Sequence, residues 1–191
     1  MTGPTAQPAA GSATGPSGGP AVVLVGPPGA GKTTVGRLLA ERLGVPYRDT
    51  DADIEATAGK AIPDIFVDDG EPHFRALERA AVAAALAAHD GVLSLGGGAV
   101  MDEGTRALLR GKAVVFLDVS LHDAVHRVGL DAPRPLLAVN PRQRWRELME
   151  QRRPLYTEVA RTVVATADRD PGQVADAVLD ALEAHRNVKD A

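Results

Sequence analysis

Residues able to handle phosphate stand close to the start of the chain. Gly26 to Thr33, GPPGAGKT, satisfies G-x-x-x-x-G-K-[ST] in full, with an apolar strand pattern before it and a helical pattern after it. Glycines let such a loop bend until its N–H groups point at phosphate oxygens, and the following helix N-terminus adds positive potential. Gly29, Ala30, Gly31, Lys32, Thr33 and Thr34 would form the cradle. Lys32 would reach the β- and γ-phosphates, and the Thr33 hydroxyl suits Mg²⁺. This pattern implies a nucleoside triphosphate site. It does not separate kinases from switches, pumps or assembly factors.

Three further groups could serve an acceptor. Asp49-Thr50-Asp51 closes a short strand, where a carboxylate can hold a metal's water or take a proton from a hydroxyl; Asp51 could equally begin the next helix as its cap. Gly96, Gly97 and Gly98 follow another strand and would expose bare N–H groups to a small ligand, or simply make a tight turn. The third group is arginines. Arg75 lies on an Ala-rich helix, four residues after Glu71, which offers it an ordinary ion pair. Arg134 lies in a loop with three prolines, DAPRPLLAVNP. Trp145, Leu148 and Arg152 stand at i, i+3 and i+7, so Arg152 shares the apolar face of its helix and needs an anion there. Arg153 points elsewhere and precedes Pro154, which biases it away from helix.

The elements that must position these groups alternate between strand and helix. Short apolar runs at AVVLVG, VPYRD, VLSL, AVVFLDV and RTVVAT read as five strands. Helical patterns cover Lys32 to Leu43, the short pieces 51–58 and 62–67, Pro72 to about Ala88, 102–109, Leu121 to about Val128, Pro141 to Arg152 and Pro171 to Ala184. That alternation implies an α/β fold with a doubly wound parallel sheet. Residues 1–20 carry no charged side chain and no periodicity, and read as a disordered tail before one domain over 21–188.

Composition narrows the class. The net charge of −4 argues against a nucleic-acid binder, and no apolar run approaches a membrane span. The absence of cysteine removes disulfides and thiolate chemistry. At 3% aromatics the core must come from Ala, Val and Leu. Two other patterns compete for a metal. VVFLD ends a hydrophobic strand in Asp118, as a magnesium carboxylate would, and His122 and His126 stand four apart on a helix without an evident third ligand.

Six blocks in order, GPPGAGKTTVGRLLA, DTDADIE, IFVDDGEPHFRALE, LSLGGGAV, RPLL and RRPLY, resemble the shikimate kinase family from about Val22 to Val178. The resemblance implies a P-loop, nucleoside-monophosphate-kinase-like fold with five parallel strands in order 2-3-1-4-5. It implies transfer of the γ-phosphoryl of ATP to the 3-hydroxyl of shikimate, with Mg²⁺. Arg75 and Arg152 would clamp the substrate carboxylate, Asp51 would bind ring hydroxyls and act as base, and Gly97 would offer a backbone N–H. Asp49 would hold Mg²⁺ through water beside Thr33. Arg134, in a lid over about 129–142, would reach the phosphates, and Arg127 and Arg169 would lie near the adenine. The acceptor would be held by about 49–80. The family's magnesium carboxylate follows the second strand, which disfavours Asp118. A soluble, cytoplasmic monomer acting on a small molecule, with no nucleic acid or membrane partner, is the expectation.

Overall fold

In a computed structural model, residues 19–128 and 141–189 are described. Residues 1–18 of the expected 1–20 tail, and residues 129–140 of the expected 129–142 lid with Arg134, lie outside them. Five strands, β1 (Val22–Val25), β2 (Tyr47–Asp49), β3 (Val92–Ser94), β4 (Val114–Asp118) and β5 (Thr162–Ala165), form one sheet in order β2-β3-β1-β4-β5. Every pairing is parallel, with Val23 of β1 beside Leu93 on one side and Val114 on the other. All four residues of β1 and all three of β3 are buried, so both faces of the central strands must be covered. The chain switches direction of winding at β1, and in open parallel sheets the crevice at such a point takes the ligand.

The helices are α1 (Lys32–Leu43), α2 (Thr50–Ala58), α3 (Ile62–Asp68), α4 (Glu71–Ala88), α5 (Glu103–Leu109), α6 (Leu121–Val128), α7 (Pro141–Val159) and α8 (Pro171–Lys189). Gly44 ends α1 in a left-handed turn, its N–H returning to the Ala40 and Glu41 carbonyls. Pro72 sits in the first turn of α4, where its missing N–H costs nothing. The main core is aliphatic, built around Leu24, Leu39, Leu93 and Leu117. Ile54, Ile65 and Phe74 make a second, smaller core under α2, α3 and α4. The candidate acceptor segment thus has its own hydrophobic anchor.

Helix α8 runs on to Lys189 rather than ending at Ala184, and two boundaries nearer the candidate site also differ from the sequence expectation. Helix α7 does not stop at Arg152; it runs through Pro154 to Val159. A proline forfeits one backbone bond inside a helix. Burial of Tyr156 and Val159 beyond it offsets that loss, and Tyr156 stacks on Phe116 with centroids 5.0 Å apart. The cap of α2 is Asp49 rather than Asp51: its carboxylate accepts from the Asp51 N–H at 3.1 Å. Asp51 is therefore inside the first turn, with its carboxylate left for other work.

Candidate active site

The tip of β1 opens into the Gly26–Thr33 loop. Gly31 caps α1 at φ 84°, a conformation that few side chains tolerate, and this aims the first N–H groups of the helix into the loop. Lys32 Nζ donates to the Gly26 carbonyl at 2.8 Å and the Pro27 carbonyl at 3.2 Å, across the mouth of its own loop. Burial lowers its pKa to about 8, while Asp51 and Asp49 pull it back up and Arg152 pushes it down.

The tip of β2 brings the two aspartates to the same crevice. The Thr33 hydroxyl donates to Asp49 Oδ2 at 3.3 Å, and the Tyr47 hydroxyl donates to the same oxygen at 3.0 Å. A hydroxyl and a carboxylate side by side are hard oxygen donors of the kind that suits Mg²⁺. Burial raises the Asp51 pKa to about 6, helped by the charges of Asp49, Glu78 and Glu55 and opposed by Lys32. Thr50, between them, is fully buried and accepts from the Gly96 N–H at 3.1 Å, tying β2's end to β3's.

The Gly96–Gly98 triplet is where three remote segments meet. A Cβ on Gly96 would strike the Asp51 carboxylate of α2; a Cβ on Gly98 would strike the Arg75 guanidinium of α4. Between them the Gly97 carbonyl accepts from Arg152 Nη1 of α7 at 3.1 Å. Gly96 and Gly98 are glycine because functional side chains stand where a Cβ would go, and at Gly97 the close neighbour is Pro28 of the phosphate loop. Arg75 does bind Glu71, at 3.0 Å, but it also binds the buried Glu78 at 2.7 Å, and only a quarter of its side chain is exposed. Neither arginine turns to solvent.

On the other flank of the loop, Arg127 donates to the Gly29 carbonyl at 3.4 Å and to the Thr166 carbonyl at 3.3 Å. It lines a cleft of about 270 Å³ with Ala30, Gly31, Thr34, Thr166 and Arg169. Asp118, the competing metal candidate, is paired with Arg153 at 2.6 Å. Consecutive arginines on α7 thus serve different partners. Trp145 is buried in the main core. His122 lies 3.5 Å from Asp123, and the His126 side chain falls outside the described set.

Residues 28–183 match the sequence model of shikimate kinase. A shikimate kinase of Streptomyces avermitilis is 67% identical over 164 residues, covering 86% of this chain and 96% of that protein. The chain belongs to the shikimate kinase family. A family member from Streptomyces coelicolor is 62% identical over 164 residues, with 86% of this chain and 96% of its own length aligned. The shikimate kinase of Acinetobacter baumannii, solved in complex with shikimate, superposes with a TM-score of 0.81 at 37% identity, covering 88% of this chain and 95% of that one.

Against that family background, the structure brings together Lys32, Thr33, Asp49, Asp51, Arg75, Gly97 and Arg152 at one end of the sheet, and Arg127 and Arg169 at the adjoining cleft. Arg134 lies outside the described residues. Two groups escaped the sequence reading. Glu78 stands three residues after Arg75 on α4 and is 4% exposed, a buried acid whose helical spacing from an arginine was the available signal. Tyr156 stands four residues after Arg152, and its hydroxyl donates to the same Gly97 carbonyl at 2.6 Å.

Proposed function

We infer that this protein is a shikimate kinase, transferring the γ-phosphoryl of ATP to the 3-hydroxyl of shikimate. The observation that carries the reading is the convergence of Asp51, Arg152 and Arg75 on three consecutive glycines beside a complete phosphate loop. A carboxylate and two guanidiniums around bare backbone suit a small acid that also carries hydroxyls.

In this reading Arg75 and Arg152 hold the substrate carboxylate, and the Gly97 N–H supports it. Glu78 and Glu71 fix the Arg75 guanidinium from behind. Asp51 faces the hydroxyl that reacts. With a pKa near 6 it is mostly ionised at neutral pH, yet basic enough to take a proton. It accepts the hydroxyl proton as that oxygen bonds to the γ-phosphorus and the bond to the β-phosphate oxygen breaks, releasing ADP. Lys32 and the loop N–H groups hold the phosphates and offset the charge that develops on them. Gly29, Ala30, Gly31, Thr33 and Thr34 contribute the rest of the cradle, and Arg127 and Arg169 flank the adenine in the 270 Å³ cleft. Thr33 and Asp49 would hold Mg²⁺, which neutralises phosphate charge when bound. By the family pattern Arg134 would contact the phosphates. The reading carries with it a single kinase domain over 21–188 and a cytoplasmic monomer.

A coupled ADP-release assay across shikimate, gluconate and nucleoside monophosphates tests this. Shikimate alone should stimulate ADP release strongly. A silent shikimate arm with turnover of another acid would reject the reading.

A further inference from the structure

The Gly97 carbonyl has two lone pairs, and both are in use: Arg152 Nη1 donates at 3.1 Å and the Tyr156 hydroxyl at 2.6 Å. The two donors are one helical turn apart on α7, but they are unequal. Tyr156 is fully buried, with its ring stacked on Phe116 at an interplanar angle of 27°. Arg152 is partly exposed and hangs on a long flexible chain. Burial also pushes the Tyr156 phenol up to about 12, so it carries its proton at any working pH. The fixed donor and the movable donor share one acceptor.

A carboxylate bound by a guanidinium takes two parallel N–H bonds. Arg152 keeps four further N–H groups besides the one on the Gly97 carbonyl, but two parallel bonds to a carboxylate fix the plane of the guanidinium, which is then set by the substrate rather than by Gly97. Were it the sole donor, any shift of Nη1 off the carbonyl would leave a half-buried backbone oxygen without its protein partner, which is costly. We propose that Tyr156 is a positioning residue of the acceptor site: its hydroxyl keeps the Gly97 carbonyl satisfied, so that Arg152 is free to exchange onto the substrate carboxylate. This rests on the shikimate kinase reading and on Arg152 as a carboxylate ligand.

The test is Tyr156→Phe in the full chain, which removes one oxygen and keeps the ring stack. The KM and Kd for shikimate should rise about tenfold, which is about 1.4 kcal/mol. The KM for ATP should stay within twofold, and kcat should fall less than KM rises. Shikimate methyl ester, which has no carboxylate for Arg152, should bind wild type and variant within twofold of each other. A purely structural tyrosine would weaken acid and ester alike; that result, or an unchanged Kd for shikimate, overturns the proposal. Should the variant not fold, wild-type protein labelled at its two tyrosines decides by NMR. The Tyr156 hydroxyl proton should stay protected from exchange when shikimate saturates, and its release on binding overturns the proposal. A wild type that releases no ADP with shikimate sinks the functional reading and this inference together. A wild type that turns over normally beside an unaffected variant sinks this inference alone.

Discussion

Asp51 should cost the protein stability in return for reactivity, and the cost can be read from its surroundings. An ordinary aspartate carboxyl titrates near 3.8, and burial together with the charges of Asp49, Glu78 and Glu55 lifts Asp51 to about 6. The folded state therefore binds this proton more tightly than the unfolded chain does. Between those two pH values the folded state carries more protons, so stability falls as pH rises. Below about pH 4 the carboxyl is neutral in both states and contributes nothing; above about pH 6 the full penalty applies. Roughly two pH units at about 1.36 kcal/mol each give about 3 kcal/mol, an order-of-magnitude figure for a largely buried group. Asp51→Asn imitates the neutral carboxyl in nearly the same volume. Urea unfolding at pH 4 should find variant and wild type alike, and at pH 8 the variant should be more stable by up to about 3 kcal/mol. The same variant should lose shikimate-dependent ADP release. Equal stability at pH 8, or a variant weaker there than wild type, would refute the claim that Asp51 is held charged against its environment.

Further outcomes follow from the same geometry. Lys32→Ala should abolish nearly all turnover in the ADP-release assay while shikimate binding, followed by calorimetry, persists, because the Lys32 ammonium donates its hydrogen bonds to phosphate-loop carbonyls. Arg152→Ala should raise the KM for shikimate by 10²-fold or so, the scale of losing a charge-assisted bidentate contact, and leave the KM for ATP within about threefold; the reverse pattern would reassign the arginines. Gly96→Ala should fold, since the obstructing atoms belong to the Asp51 and Glu78 side chains rather than to backbone, but kcat should drop on the order of 10²-fold as the Asp51 carboxylate is displaced. The free enzyme's kcat/KM should rise with pH through an apparent pKa near 6, reporting Asp51.

What the sequence made legible was local, and what it left open was non-local. The phosphate loop, its flanking strand and helix, the Gly44 stop and the Pro72 start all follow from preferences spanning a few residues, and the structure places them as expected. Strand alternation carried the fold, because parallel strands joined by helices admit few arrangements, and the observed order is 2-3-1-4-5. Arg152 could be read as inward from its position on an apolar stripe, yet its partner could not, since Gly97 lies 55 residues away in the chain. Taken alone, Asp49-Thr50-Asp51 read equally well as cap or catalyst; the structure divides the roles, with Asp49 capping and Asp51 left pointing at Gly96. The end of α7 was misjudged because Pro154 speaks only for the local backbone, whereas Tyr156 is held by Phe116 and Gly97 from elsewhere in the fold. A helix that ended at Arg152 would leave that guanidinium on a fraying terminus, with several rotamers to lose on binding. Carried on for another two turns and pinned by a buried ring, it presents Arg152 from a fixed backbone, so that the movement needed to meet a substrate acid is confined to one side chain.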